Sequence, residues 1–491
     1  MIETTALIWP ILITGLTPLA IWLFRDNINV REGVSLVAGL ITFGFVLSFV
    51  PPVLDGQILH FTLFTILPGI SIKLVVDGLT LIFAIVASFL WMLATFYNIG
   101  YMRSLNEHAQ TRYYFCFAVA IFGAVGVAMS GNILTLYFFY EVITVFTYPL
   151  VAHHQDAEAY HGARKYLVYL MGTSKMFFLP AMVLTYVLCG TLDFHLGNMV
   201  KGMFPSDANP LLVQITYALY VMGLAKAAIM PFHNWLPSAM VAPTPVSALL
   251  HAVAVVKAGV FSVSRVLLSA FGVDLMDTLG LGIVTAAFAA FTIVVASCIA
   301  LTKDDLKARL AYSTVSQLSY VVLGVALLSP LAVTGGLAHI AHHAFSKITL
   351  FFAAGAIYVA THQKKISLLH GVGRRMPWTF GAFAVASLSM IGVPPVCGFV
   401  SKWYMINGAI STGQYIFLVA LLSSTILNAS YFAPIIYKAF FYEPGPGVDI
   451  SKYSEAPMAM VVPLCFTAAM SVFLGLYPET LFQFINAFRG H

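Results

Sequence analysis

Charge is what this chain of 491 residues has least of: 9% are Asp, Glu, Lys or Arg, against 60% that are apolar. Soluble domains carry about 25% charged residues. A water-soluble surface therefore cannot be built, and a soluble enzyme, a nucleic-acid binder and a disordered chain are excluded together. Cysteine is also scarce. Cys116, Cys189, Cys298, Cys397 and Cys465 stand singly in apolar stretches, with no CxxC and no Cys–His pairing. They read as small buried hydrophobes and give no basis for a metal, an iron–sulfur cluster or another cofactor. The N-terminus lacks a basic n-region and a small-residue cleavage site, so the first apolar stretch is expected to persist as a helix.

What the chain has in quantity is long apolar runs. About 20 such residues cross the hydrocarbon, and that window places spans at 5–24, 33–50, 78–97, 113–130, 133–152, 166–189, 211–230, 243–263, 277–301, 310–329, 333–360, 378–410, 413–440 and 457–477. The expected fold is an all-α polytopic membrane protein of about 14 transmembrane helices. The twelfth span is too long for a straight crossing and holds Pro394-Pro395, so it is expected to be interrupted. Segment 60–76, β-branched and aromatic around Pro68-Gly69, is expected to form a short hairpin outside the bilayer. The odd-numbered connections hold fifteen cations, while the even-numbered ones and the C-terminus hold four: Lys73, Lys201, Arg265 and Arg489. This bias predicts cytoplasmic odd loops and both termini outside.

Five cations remain within the spans, Lys175, Lys226, Lys257, Lys347 and Lys402, with one deep acid, Glu141. Each buried charge costs about 2.5–3.5 kcal/mol even on insertion scales. Structural ion pairs or snorkelling lysines could account for some of them, but six such groups are better explained by a hydrated route. All five cations are lysine. A lysine can be driven towards neutrality by desolvation and neighbouring cations, whereas arginine stays charged, so lysine can carry a proton. His339, His343 and Lys347 recur at i, i+4 and i+8, one stripe about 12 Å long that suits a proton relay. Helix–helix hydrogen bonding is the plainer alternative for these histidines. A haem or quinone site would need opposed histidine pairs, and a solute symporter one compact polar cluster. His251 precedes Lys257 by six residues, about 240° around an ideal helix, so the two share a route only where the helix is distorted. Pro231 follows Lys226, and Lys402 follows the double proline. Breaks at membrane depth are tolerated where they line a cavity, and breaks in two halves point to inverted repeats.

These residues fall in recognisable motifs: Ala225-Lys226, PFHNWLP at 231–237, APTPVSA at 242–248 and Lys257-Ala-Gly259. They continue in Asp77-Gly-Leu, YNIGY at 97–101, Tyr140-Glu141, Lys165-Tyr166, Asp305-Leu-Lys307, AYST at 311–314, HAFSK at 343–347 and GVPP at 392–395 leading to Lys402. From about residue 70 to 410 the chain resembles the antiporter-like proton-translocating subunits of respiratory complex I, ion-pumping membrane hydrogenases and Mrp-type cation/proton antiporters. The resemblance implies two inverted five-helix repeats, spans 4–8 and 9–13, with broken helices 7 and 12. The corresponding divisions are 1–110 for helices 1–3, 111–271 and 272–442 for the repeats, and 443–491 for helix 14. It implies proton translocation through Glu141, its lysine partner Lys226, then Lys257, His343, Lys347 and Lys402, with His251, His339 and Lys175 as secondary positions. Lys175 departs from the small or polar residue usual in the family, and is expected either to lie on the polar axis or to pair near Glu141. The stretch 247–259 and the length are most similar to the D subunit of Mrp-type Na+(cation)/H+ antiporters. A proton-pumping subunit of complex I or of a membrane-bound hydrogenase is the alternative. The resemblance further implies the cell (inner) membrane, other membrane subunits as partners, protons and a cation such as Na+ as cargo, and no redox or hydrolytic chemistry in this chain.

Overall fold

The computed structural model describes residues 1–444 and 450–490. Among the described residues, eleven helices are long and apolar enough to cross a membrane, and the other three expected spans take different forms. Span seven stops short as Pro210–Gly223. Span ten, Leu306–Ala326, has full length but buries Ser313, Thr314, Ser316, Gln317 and Ser319, which lowers its hydropathy. Span twelve is split into Pro377–Ile391 and Cys397–Ser411. The chain is thus a mostly helical multi-pass membrane protein. Span eight, Thr244–Phe271, lies wholly inside the bundle. Outer spans turn apolar side chains such as Val187, Ile416 and Ile426 outward, the arrangement a lipid-facing surface requires.

The hairpin expected over 60–76 is present. Strand β1 (Ile2–Glu3) pairs in parallel with β2 (Leu59–Leu67), and β2 pairs antiparallel with β3 (Ile70–Val76). Gly69 makes the turn at φ +76°, where an added Cβ would come within 2.2 Å of the Gly190 carbonyl oxygen. The sheet ties down the start of span five. Asn132 accepts from the Thr135 N–H at 2.8 Å as its N-cap and donates to the Ser71 carbonyl at 2.6 Å, fixing where the helix bearing Glu141 begins.

One expectation is corrected here. Arg265, assigned above to a connection, lies inside span eight with a fully buried side chain. Its two terminal nitrogens grip both oxygens of Asp77, at 2.5 and 2.8 Å, and one also donates to Thr80 at 3.1 Å. Asp77 in turn caps span three, Gly78–Ser104, by accepting from the Thr80 N–H. The apolar window ended at 263 because hydropathy assigns Arg265 the full cost of an isolated cation. A bidentate carboxylate removes most of that cost, and the helix runs on. The cation bias survives at fifteen against three.

Removing one partner strands the other as a buried charge, at about 3–5 kcal/mol. Arg265→Met is therefore expected to lower the thermal midpoint of the detergent-purified protein sharply. The double variant with Asp77→Leu should recover part of that loss, and equal damage in both would show that the pair is not what holds spans three and eight.

Candidate functional site

Lys226 sits in the interruption of span seven, in a short turn Ala225–Ala227 that follows Pro210–Gly223 and ends with Ala228 in a left-handed conformation. The broken backbone is satisfied by side chains from elsewhere. The Lys226 N–H donates to the Tyr140 hydroxyl at 3.1 Å, Trp235 Nε1 to the Ala225 carbonyl at 3.0 Å, and the Met230 N–H to Thr292 Oγ1 at 3.1 Å. The ammonium is fully buried, donating to the Tyr140 carbonyl and to Thr144 Oγ1, each at 2.7 Å. Gly259 of span eight makes room for the turn, since a Cβ there would lie 2.3 Å from the Lys226 carbonyl carbon.

Lys257 reaches across to span eleven, Pro330–Thr361, where its ammonium lies 2.6 Å from His343 Nδ1. His251 stands on a π-helical segment, Leu249–Val253, which is the distortion its sharing a route with Lys257 requires. Its ring packs on Phe351 and neither of its nitrogens has a hydrogen-bond partner among the described residues. The stripe on span eleven contacts three other spans at once. His343 meets Lys257, Lys347 donates to Ser313 Oγ at 3.0 Å, and His339 bonds Ser401 Oγ at 2.8 Å and Gln317 Oε1 at 3.0 Å. Because Gln317 gives its amide N–H to the Met390 carbonyl, its oxygen faces His339, whose Nε2 must carry the hydrogen. The Met390 carbonyl, with that of Ile391, also receives the Lys402 ammonium, at 2.7 and 2.9 Å. These are the end carbonyls of the first half of span twelve, left free where the chain breaks at Gly392 and a natural seat for a cation.

Glu141 departs from its expected pairing. Its nearest cation is Lys175, at 3.2 Å but off the hydrogen-bond direction, rather than Lys226. Lys175 lies in a π-helical segment of span six, Ser174–Phe178, and donates to the Tyr137 hydroxyl at 2.7 Å. Its side chain is 48% exposed on the outer surface of the bundle, so it is not part of the interior line of Lys226, Lys257, His343, Lys347 and Lys402. Sequence reasoning gave no role to Tyr140 and Ser313, which fall within the motifs quoted above, and passed over Thr144, Gln317 and Ser401. These three are uncharged polar residues of common types, and only their buried contacts with a lysine or histidine mark them.

Two interrupted spans around a buried line of lysines and histidines define the class: a polytopic membrane protein with titratable groups along its centre. Residues 130–428 match the family described as NADH:quinone oxidoreductase/Mrp antiporter, TM, and the chain belongs to that family as an antiporter-like membrane subunit. It is 32% identical over 429 residues to NADH-quinone oxidoreductase subunit N of Desulforudis audaxviator, covering 84% of both chains. It is 30% identical to a probable K(+)/H(+) antiporter subunit of Rhizobium meliloti, covering 92% of this chain but 45% of that longer one. Its fold is similar to a chain of the Mrp complex from Dietzia sp. (TM-score 0.86, 22% identity, 99% and 97% covered). It is similar likewise to a chain of the archaeal membrane-bound sulfane sulfur reductase (TM-score 0.85, 24% identity, 98% and 96% covered).

The packing of Gly259 on the broken turn yields a direct test. Gly259→Ala should destabilise the protein by about 1–3 kcal/mol, the usual cost of overpacking. Gly172→Ala, where nothing lies within 4 Å, should be silent in the same thermal melt.

Proposed function

We propose that this chain translocates protons along the line Lys226, Lys257, His343, Lys347 and Lys402. The observation that carries this is the 2.6 Å contact of Lys257 with His343, which puts two proton-exchanging groups of different spans within transfer distance at the buried centre of the bundle. His339, through Gln317 and the Met390 carbonyl, extends the line to Lys402, and His251 flanks it. Among these lysines the hydrogen-bond partners are carbonyls, hydroxyls and an imidazole, so no carboxylate among the described residues pins any of them as a permanent ion pair. Glu141 is shared between two states: bound to Lys175, or turned towards Lys226, whose charged form it would then favour.

Support for the branch is divided. The antiporter relatives favour a subunit of an Mrp-type cation/proton antiporter, and the motif at 247–259 favours its D subunit, with Na+ or another cation exchanged. The match to subunit N over 84% of both chains favours a proton-pumping subunit of a quinone oxidoreductase. Both readings place the chain beside other membrane subunits in the cell (inner) membrane. The Glu141–Lys175 pair supports such a partner, because a half-exposed ammonium at mid-span would otherwise face lipid at a cost of about 2.5–3.5 kcal/mol. Spans 4–8 and 9–13 are proposed as the inverted repeats, each holding one interrupted span with its lysine, and the cation bias supports both termini outside.

In vesicles carrying the intact complex, Lys226→Ala, Lys257→Ala and Glu141→Ala are each expected to cut proton or cation flux about tenfold or more, a barrier change of at least about 1.4 kcal/mol. Full flux in both Lys226→Ala and Glu141→Ala would sink the proposal.

A further inference from the structure

Two loops at one end of the bundle bring four residues together that the line of lysines does not use. Glu107 and His108 lie between spans three and four, Gln110–Ala128 being span four, and His153 and His154 follow span five, Ile133–Val151. One ligand atom from each of Glu107, His108 and His154 lies within 4.8 Å of the others. Glu107 Oε2 is 3.9 Å from His154 Nδ1 and 3.6 Å from His153 Nε2. His153 is fully buried, neither of its ring nitrogens has a hydrogen-bond partner among the described residues, and its ring faces that of His108 at 4.7 Å. A buried imidazole without partners, turned towards a carboxylate beyond hydrogen-bond length, is costly unless a further group completes it.

We infer that Glu107, His108, His153 and His154 form a binding site for a divalent transition-metal ion, with Zn2+ the chemistry the donors fit best. Imidazole nitrogens with one carboxylate suit Zn2+ rather than Mg2+ or Ca2+, which want oxygen. Tetrahedral bonds of about 2.0–2.2 Å hold ligands about 3.4 Å apart; Glu107 stands 3.6 and 3.9 Å from His153 and His154, and the exposed His108 and His154 side chains can turn inward to close the remainder. Arg112 donates to the His153 carbonyl at 2.9 Å and Gln110 to that of Glu107 at 3.1 Å, so both loops are held from the backbone side. The cluster sits on the rim of a cavity of about 720 Å3, also lined by Asp156, His161, Lys307 and His362, which leaves an entry path. The site stands apart from the lysine line and does not depend on the transport reading.

The test is Zn2+ titration by calorimetry on the chelator-stripped, intact complex, with thermal melts in parallel. The wild type should bind one Zn2+ more than the His108→Ala/His154→Ala double variant does, and Zn2+ should raise its thermal midpoint more. Each single variant should weaken that site by at least about tenfold, as loss of a ligand does for metal sites. Both histidines are exposed, so the metal-free melts of the variants should match the wild type. Equal Zn2+ stoichiometry and affinity in wild type and double variant would overturn the assignment, as would a wild type that binds no Zn2+.

Discussion

Within a membrane-spanning bundle every backbone group and every charge must find its partner in protein, and most of what distinguishes this chain follows from that. Span seven and span twelve are both broken, and the groups freed by the breaks are met by side chains: Tyr140, Trp235 and Thr292 around Lys226, and Lys402 and Gln317 at Met390. At span twelve the need is reciprocal. The Lys402 ammonium needs oxygen in a place without water, and Met390 and Ile391 have carbonyls that their own helix can no longer use. The break and the buried cation stabilise one another.

The same constraint separates two kinds of buried cation. Arg265 is gripped by both oxygens of Asp77, an arrangement that suits a permanently charged fork and works as a fixed joint between spans three and eight. The interior lysines instead donate to neutral oxygens or meet an imidazole, arrangements that stabilise an ammonium without locking it. Structural and mobile charge are thus assigned to different side-chain chemistries in one bundle, and Lys175, paired with Glu141 at the surface, stands between them.

Much of this was legible in the sequence. The fourteen runs, the interruptions at Pro231 and Pro394-Pro395 and the stripe of His339, His343 and Lys347 depend on local periodicity, and the helices follow it. Arg265 was misplaced because a hydropathy window scores a residue alone and cannot see a carboxylate 188 residues away. Gln317 and Ser401 were passed over because uncharged polar residues are common in such helices and cost little where they stand. The loop histidines were invisible as a group, since Glu107-His108 and His153-His154 are ordinary pairs until the turns after spans three and five meet.

The sequence by itself determined which segments are apolar enough to cross the bilayer and, Arg265 apart, which charges are left among them, because both follow from transfer costs that each residue carries with it. Tertiary structure decided who meets whom: it chose Lys175 over Lys226 for Glu141 and brought together Lys257 with His343 and Lys402 with the ends of its own broken span. A helical repeat of 3.6 residues gives the face a side chain occupies. It does not give the neighbour, which depends on how close small residues such as Gly259 let two backbones approach.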